Sequence, residues 1–564
     1  MLLSILLHGG KGINGLLVNP RLHILFIIAI FLLSALTMGS VHEWAEDEPY
    51  YMIAADHMEQ GGSLLVPTYA HGFPRFPKPI LFYWLVLLSY KIFGVSVFAS
   101  RVPALISSAV VLYFTYRLSS ERGSRPAEGI TAVYILASFY LFYFHGKAST
   151  TDMTLTAFMI SGFCLLSEFL QEKGSSKSIY LGALAFGLAG LTKGPVALVL
   201  VALTVIPFFV IGKRRGDTIP STGQILVSVL IMSAVSGWWY MYMTAKFWPG
   251  FIEHQLGHEV VSRMDGFFWV RLKQIIWYFR RIVEAGYPWT LLVLFTVSMR
   301  VRPTDSRIPR ILAWCGLIAT ILFYGLLIDT KRSRYLEPVL PLIALILSDY
   351  ITAAFRSVKL ERLAKNILRA LVVFTFIITI IVSVILLAAA RQDITVGLYL
   401  KVGLFTLISI GLTILLWNRR LLINSEVLTA VVAISMVFTY TYSTLVFLGT
   451  LKRTPMIELA EQTYRLPEDS RVNYSVIMRR DLFSGLMYFF GNRNVLMAEN
   501  DSRDETHRII SDKEFDGLKA TDEIVAEAYN YSRGINVNLK ESIRNGDLFR
   551  KLPRDNYYLV RVSQ

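Results

Sequence analysis

The stretch LHILFIIAIFLLSALTMGSV (residues 22–41), followed after His42 by EWAEDEPYY (residues 43–51), decides the fold class of this chain. The first part is an apolar run of about 20 residues, the length that a helix needs to cross the roughly 30 Å hydrocarbon core of a bilayer. The second part places the carboxylates of Glu46, Asp47 and Glu48 where the chain leaves the membrane. Because carboxylates beside lipid are poorly solvated, they mark a candidate functional site.

The composition is that of a multi-pass membrane protein. Of the 564 residues, 54% are hydrophobic and only 17% are charged, and the mean hydropathy is +0.49. The formal net charge is +15, and its excess precedes Leu451, since residues 451–564 hold 18 basic and 18 acidic residues. Basic residues scattered between apolar segments are typical of cytoplasmic loops and of contact with anionic lipid, so they do not indicate nucleic-acid binding.

The apolar runs predict about thirteen transmembrane helices with a cytoplasmic N-terminus. The predicted spans are 22–41, 99–118, 127–144, 152–171, 178–192, 194–212, 223–243, 287–300, 310–328, 334–352, 366–390, 396–417 and 427–448. The first is interpreted as a retained helix, because no small-residue cleavage site follows it. The run Ile80–Val95 is short and rich in aromatic residues, and we place it along the interface. With this choice every inner loop is basic, as the positive-inside rule requires.

The outer segments then collect the unusual polar residues on one membrane face. They are residues 42–98 with Asp47, Glu48, Arg75 and Lys78, the turn with Lys147 and Asp152, the turn Lys193-Gly194-Pro195, residues 244–286 with His254 and His258, and the segment from Asp329 to Tyr335. These segments come from distant parts of the sequence. Their convergence predicts an active site at the outer leaflet.

The pattern changes after Leu451. Short runs of β-forming residues, at Val472–Met478, Val495–Ala498 and Tyr557–Val562, alternate with polar stretches such as Asp522–Ala528 that we interpret as helical. The predicted fold class is therefore mainly α. A polytopic membrane domain (residues 1–450) precedes a small extracytoplasmic α/β domain (residues 451–564).

Two of the outer motifs allow a structural and a functional interpretation. Asp47 or Glu48 could cap the helix that Pro49 begins, although a cap also orients a carboxylate. Lys78 lies between two prolines at the start of an interfacial helix. It could extend to the headgroup region without a specific role, or bind a lipid phosphate with help from the helix dipole.

The order of the motifs resembles a known family. The chain is similar to the bacterial lipid A aminoarabinose transferases, which are related to the dolichyl-phosphate-mannose protein mannosyltransferases and are integral-membrane glycosyltransferases of the GT-C type. The matching motifs are Asp47-Glu48, Lys78-Pro79 with the aromatic helix after it, Arg101-Val102-Pro103, Thr150-Thr151-Asp152-Met153, Leu191 to Pro195, and Lys331-Arg332-Ser333-Arg334-Tyr335. The resemblance covers about residues 40–350.

The chain departs from the family at two positions. Tyr50 stands where an arginine commonly helps to hold the carrier phosphate, and Pro77 stands where a glutamate is common. Arg75 or Arg334 could replace the missing arginine. The missing glutamate removes a possible metal ligand, so we expect no metal. His254 and His258, four residues apart, are more suited to an acceptor contact than to a metal site.

The resemblance implies an inverting transfer of a sugar from a polyprenyl-phosphate carrier to an acceptor, lipid A or a related glycolipid, on the periplasmic side of a bacterial inner membrane. It implies no cofactor, and we expect a monomer. The implied site residues are Asp47, Glu48 and Asp152 as catalytic groups, Lys78, Arg75, Lys331 and Arg334 around the carrier phosphate, and Tyr50, Tyr83, Lys193, His254, His258 and Tyr335 as substrate contacts.

Three alternatives remain open at this point. A protein O-mannosyltransferase or a surface-polysaccharide glycosyltransferase would use the same kind of donor. A flippase for lipid-linked sugars would bind the same lipid without chemistry. Transporters tend to place charges midway through broken helices, whereas here the charges cluster at one face, which favours an enzyme.

Overall fold

The structure is a computed structural model. It describes residues 20–38, 47–68, 73–121, 123, 125–171, 175–258, 268–300, 303, 307–328, 331–357, 359–389, 396–417 and 425–448, and the strand residues 471–474, 496–498, 507–511, 523–531 and 554–561. Glu46 of the acidic cluster lies outside these residues.

Up to residue 448 the described chain is built from α-helices joined by turns. In chain order the helices are α1 Pro20–Ala35, α2 Glu48–Glu59, α3 Leu81–Phe93, α4 Val97–Ser119, α5 Pro126–Ala137, α6 Tyr140–His145, α7 Thr151–Gln171, α8 Ser176–Lys193, α9 Pro195–Arg215, α10 Thr222–Lys246, α11 Gly250–Glu253, α12 Phe268–Ala285, α13 Trp289–Ser298, α14 Ile308–Leu326, α15 Leu340–Arg356, α16 Glu361–Ala389, α17 Val396–Trp417 and α18 Ser425–Ser443. A 3₁₀ helix, Ser333–Val339, leads into α15, and π-helical turns follow α11 and α18.

A helix covers most of each predicted span. Among the described residues, nine helices are long and apolar enough to cross a membrane, and four further apolar helices are shorter. The total of thirteen crossings therefore stays a prediction. The run Ile80–Val95 forms α3, which packs against α2 and α4.

Two predicted spans differ in detail from the helices observed. The span 127–144 is divided into α5 and α6 by a break at Ser138 and Phe139, where Phe139 is extended. The span 334–352 begins in the 3₁₀ helix, within which Pro338 has no amide hydrogen to donate to an α-helical ladder. The outer segment 244–286 is also more ordered than a loop, because it contains α11 and the amphipathic helix α12.

The sharp turn between α8 and α9 fixes one side of the later site. Gly194 has φ +90°, a conformation that favours glycine, and Pro195 starts α9. A Cβ atom at position 194 would lie 2.5 Å from the hydroxyl oxygen of Tyr240. The turn therefore holds Lys193 at the end of α8, against α10, with no room for a side chain at the next residue.

Helix α7 is the centre of the membrane domain. It packs against α8 and α4, and nearly all of its residues are buried. Close approach to α8 depends on Gly162, because a Cβ atom there would meet the ring of Phe186 at 2.4 Å. Burial on all sides means that α7 presents its first turn, with Asp152, in a position fixed by its neighbours.

After residue 470 the described residues form a five-stranded sheet. The strands are β1 Arg471–Tyr474, β2 Leu496–Ala498, β3 His507–Ser511, β4 Glu523–Tyr531 and β5 Arg554–Arg561, in the order β2-β1-β3-β5-β4. β1 runs parallel to β2 and β3, whereas β5 is antiparallel to β3 and β4.

The sheet agrees with the three predicted β runs where they are described and corrects one assignment, while residues 475–478 of the first run lie outside the described residues. Asp522–Ala528, interpreted as helical, lies almost entirely in β4. Ile524 and Val525 are β-branched, and pairing with β5 supplies the hydrogen bonds that a helix would have made internally. Any helices between the strands fall outside the described residues, so the α/β class of this domain stays a prediction.

Candidate functional site

The segments predicted to meet at one face enclose a cavity of about 210 Å³, which we call the polar cavity. Its lining residues are Asp47, Tyr50, Tyr51, Arg75, Pro77, Lys78, Thr151, Asp152, Lys193, Arg332, Arg334 and Tyr335. They come from the start of α2, the segment before α3, the start of α7, the end of α8 and the segment around the 3₁₀ helix. Eight of the thirteen residues predicted for the site line this cavity.

Asp47 is held by cations and not by the helix that it precedes. It occupies the N-cap position of α2, but its side chain makes no capping hydrogen bond. One carboxylate oxygen lies 2.7 Å from a guanidinium nitrogen of Arg334, and the other lies 3.9 Å from Arg332. The side chain keeps 25% of its surface exposed. The capping alternative is therefore wrong for Asp47, whose carboxylate faces the cavity.

Glu48 points the other way, into the protein. Its carboxylate accepts two hydrogen bonds from the Arg101 guanidinium, both of 2.9 Å, and a third, of 2.6 Å, from the backbone amide of Ser149. Arg101 also donates to the carbonyl oxygen of Met38. Both charged side chains are at most 2% exposed. The structure thus places Glu48 behind the cavity wall, where it joins α2, α4 and the turn before α7.

Arg75 lies within a group of tyrosines. Its guanidinium carbon is 4.7 Å from the ring centre of Tyr50 and 5.2 Å from that of Tyr51, and it donates a 2.5 Å hydrogen bond to the hydroxyl of Tyr83. Burial raises the pKa of Tyr51, and the neighbouring charge of Arg75 opposes this effect. Tyr50, which replaces the family's arginine, therefore supports a neighbouring arginine by a cation–π contact.

On the opposite wall, Asp152 pairs with Lys193. The lysine amine donates a short hydrogen bond to the carboxylate, and both side chains are at least nine-tenths buried. The amine also lies 5.3 Å from the ring centre of Tyr335, which stacks on Tyr324. A charged pair at the start of α7 and the end of α8 is thus aimed into the cavity by two packed helices.

Four further predicted residues do not line the cavity. Lys331 is exposed, Tyr83 lies behind Arg75, and His254 packs against the ring of Phe76. The side chain of His258 lies outside the described part of the structure. Among the described residues, no group of three His, Cys, Asp or Glu side chains is arranged to hold a metal ion.

Arg332 is the cation that the sequence interpretation missed. Its backbone is extended, with φ −134° and ψ 125°. Arg332 directly precedes the 3₁₀ helix that contains Arg334, and both residues line the cavity, whereas Lys331 is exposed. The three cations within Lys331-Arg332-Ser333-Arg334 are the signal that could have identified Arg332.

The sequence of this chain is similar to that of known proteins. Residues 77–241 match the family model described as dolichyl-phosphate-mannose-protein mannosyltransferase. The chain is 27% identical over 353 residues to the undecaprenyl phosphate-alpha-4-amino-4-deoxy-L-arabinose arabinosyl transferase of Yersinia pestis (strain Pestoides F), a match that covers 61% of each protein. The chain thus spans about three fifths of the length of this curated relative.

The fold is similar to solved structures over nearly its whole length. The crystal structure of ArnT from Cupriavidus metallidurans bound to undecaprenyl phosphate superposes with a TM-score of 0.70 at 15% identity, covering 95% of this chain and 97% of that one. The apo form of the same protein gives 0.69 at 16% identity. This likeness establishes the fold, so the predicted mainly α GT-C fold is confirmed.

The two neighbouring acids should differ sharply in their effect on stability. Glu48→Gln leaves the buried Arg101 without its counter-charge, and breaking such a pair costs about 3–5 kcal/mol. Asp47→Asn removes a carboxylate that is partly exposed, so its effect on stability should be within about 1 kcal/mol. The midpoint of thermal unfolding in detergent measures both. Equal midpoints for the two variants would contradict the structural role of Glu48.

Proposed function

Because this chain belongs to the family of ArnT-like membrane glycosyltransferases with the GT-C fold, we propose that it transfers a sugar from a polyprenyl-phosphate carrier to a phosphate-bearing glycolipid. The observation that carries this proposal is the charge of the polar cavity. Five cations line it, Arg75, Lys78, Lys193, Arg332 and Arg334, against the two carboxylates Asp47 and Asp152. Such an excess of positive charge at the ends of apolar helices suits a ligand with phosphate groups and a lipid tail.

The cations support catalysis because charge develops on the leaving group. When the bond between the anomeric carbon and the phosphate oxygen breaks, the carrier phosphate gains negative charge. Cations held in place before the reaction stabilise that charge more in the transition state than in the ground state. Lys78 precedes α3, is only half-buried and lines the cavity, where its amine donates a 3.1 Å hydrogen bond to the carbonyl oxygen of Pro77 and could also donate to a phosphate.

We assign Asp47 to the acceptor. Its carboxylate is the more exposed of the two in the cavity, at 25% against 3% for Asp152. It would accept the proton of an acceptor hydroxyl, or orient an acceptor phosphate that needs little deprotonation. The acceptor oxygen then bonds to the anomeric carbon on the side opposite the departing phosphate, which inverts that centre. With a hydroxyl acceptor the proton passes to Asp47 and then to water, whereas a phosphate dianion loses no proton, and in both cases the polyprenyl phosphate departs as an anion.

The charge count favours a phosphate as the acceptor. One phosphodiester carrier brings one negative charge, which leaves two of the three excess positive charges of the cavity uncompensated. A second phosphate, such as that of lipid A or a related glycolipid, would compensate them. The Yersinia relative is named for an undecaprenyl-phosphate-linked aminoarabinose donor, which supports this class of reaction. A protein hydroxyl acceptor is the alternative outcome of a transfer assay.

We also propose that the polar cavity and a separate domain beyond residue 450 lie on the periplasmic side of a bacterial inner membrane. The support is the alternation of basic loops along the sequence. A periplasmic reporter fused after Leu451 should be active, because that residue follows an odd number of predicted spans. Activity of a cytoplasmic reporter at the same position would contradict this orientation.

Lys78→Ala should lower the turnover of sugar transfer by about a hundredfold or more. Loss of one preorganised donor to the developing charge costs about 2–4 kcal/mol. The assay uses the purified chain in nanodiscs, with an undecaprenyl-phosphate sugar and lipid A. Lys91→Ala is the matched control, since Lys91 is exposed on α3 and distant from the cavity lining. Normal turnover in the folded Lys78→Ala protein would remove Lys78 from the site.

Asp47→Asn should suppress transfer while leaving binding of undecaprenyl phosphate nearly unchanged. The substitution keeps the size of the side chain but removes its charge and basicity, for an expected loss of about 10²-fold or more. Asp217→Asn, in the turn between α9 and α10, is the control. If Asp47→Asn transfers normally, the acceptor is activated elsewhere, and Asp152 becomes the next candidate.

A further inference from the structure

A buried carboxylate lies behind the polar cavity and takes no part in the proposed reaction. Glu337 belongs to the same 3₁₀ helix as Arg334 and Tyr335, and its side chain is completely buried. Among the described residues, neither of its carboxylate oxygens accepts a hydrogen bond. An ionised carboxylate in such a place is strongly disfavoured unless a cation or a proton compensates it.

The group positioned to compensate it is His145, at the end of α6. Its Nδ1 atom lies 3.4 Å from Oε1 of Glu337 and has no hydrogen-bond partner in the described part of the chain. One proton satisfies both groups in either of two arrangements. A carboxylic acid can donate to the neutral imidazole, or an imidazolium can donate to the carboxylate. Both arrangements have no net charge.

The surroundings of this pair connect it to the cavity. The charged groups that face it are Asp152, Lys193 and Arg334, and His145 also faces Glu48. Asp152 has Lys193 as its ion-pair partner in the present structure. A phosphate entering the cavity would attract Lys193 and weaken that pair. Asp152 would then keep Arg334 as its neighbouring cation, and an imidazolium at position 145 would add a second positive charge near it.

We propose that Glu337 and His145 share one proton and act as positioning residues for Asp152. The O–H bond of Glu337 breaks and the N–H bond of His145 forms when Lys193 turns to a bound phosphate, so that positive charge moves toward Asp152. This inference rests on the proposed function and deepens it. It makes the acid–base state of the site respond to occupation by the carrier phosphate.

A double-mutant cycle tests the coupling. Glu337→Gln and His145→Gln should each lower kcat about tenfold, with the KM for the carrier nearly unchanged, and the double variant should lose no more than either single variant. The pH profile of kcat should change in all three. Glu168→Gln, which alters a carboxylate paired with Arg117 at the other end of α7, should leave the profile unchanged. A hundredfold loss in the double variant, or unchanged pH profiles, would overturn the proposal.

A second measurement does not depend on turnover. In the full chain labelled with ¹⁵N-histidine, the His145 signal is assigned by its loss in His145→Gln. Its Nδ1 resonance should have the chemical shift of a nitrogen that accepts a hydrogen bond, and it should move toward that of a free imidazole nitrogen in Glu337→Leu, which has no donor. An Nδ1 resonance that is the same in both proteins overturns the shared proton even in the resting protein.

Undecaprenyl phosphate separates the two proposals. Its addition should move the His145 signal toward the imidazolium form. If the lipid binds and the signal does not move, the positioning role is overturned. If the lipid does not bind, the proposed function fails, and the Nδ1 resonance of the Glu337→Leu protein still decides whether the proton is shared.

Discussion

The buried ion pair between Glu48 and Arg101 is the interaction on which the geometry of the site depends. It joins the start of α2 to α4, to the end of the first helical segment through Met38, and to the turn before α7 through Ser149. Two charges removed from water are retained only where the geometry satisfies nearly every donor and acceptor. Because Asp47 is the residue before Glu48, this pair also fixes where the exposed carboxylate of the cavity lies.

The other charged residues of the polar cavity are mostly cations, which repel one another. Five cations line this one small cavity, and neighbouring side chains hold three of them in place. Arg75 is held by tyrosine rings, Lys193 by Asp152 and Tyr335, and Arg334 by Asp47. An anionic ligand such as a phosphate would relieve the repulsion that remains between these cations.

How much could be predicted varies from one part of the chain to another. The apolar runs predicted the helices well, because a helix that crosses lipid must satisfy its backbone hydrogen bonds within itself. The break at Ser138 and the strand β4 were missed, and both have partners distant in sequence, since Trp289 donates a hydrogen bond to the Ser138 hydroxyl and β4 pairs with β5. Among the residues that line the polar cavity, Asp47, Lys78, Asp152 and Arg334 were predicted from the sequence, whereas Arg332 was not.

By itself the sequence determined the class of the protein, the positions of its apolar helices and the set of polar segments that meet at one face, because these follow from hydrophobic length and charge order along the chain. Only the tertiary structure decided which way each side chain points. Asp47 and Glu48 are adjacent in sequence, yet one lines the cavity and the other is buried against Arg101. The physical reason is that the direction of a side chain depends on its packing partners, and here those partners lie some 50 to 290 residues away.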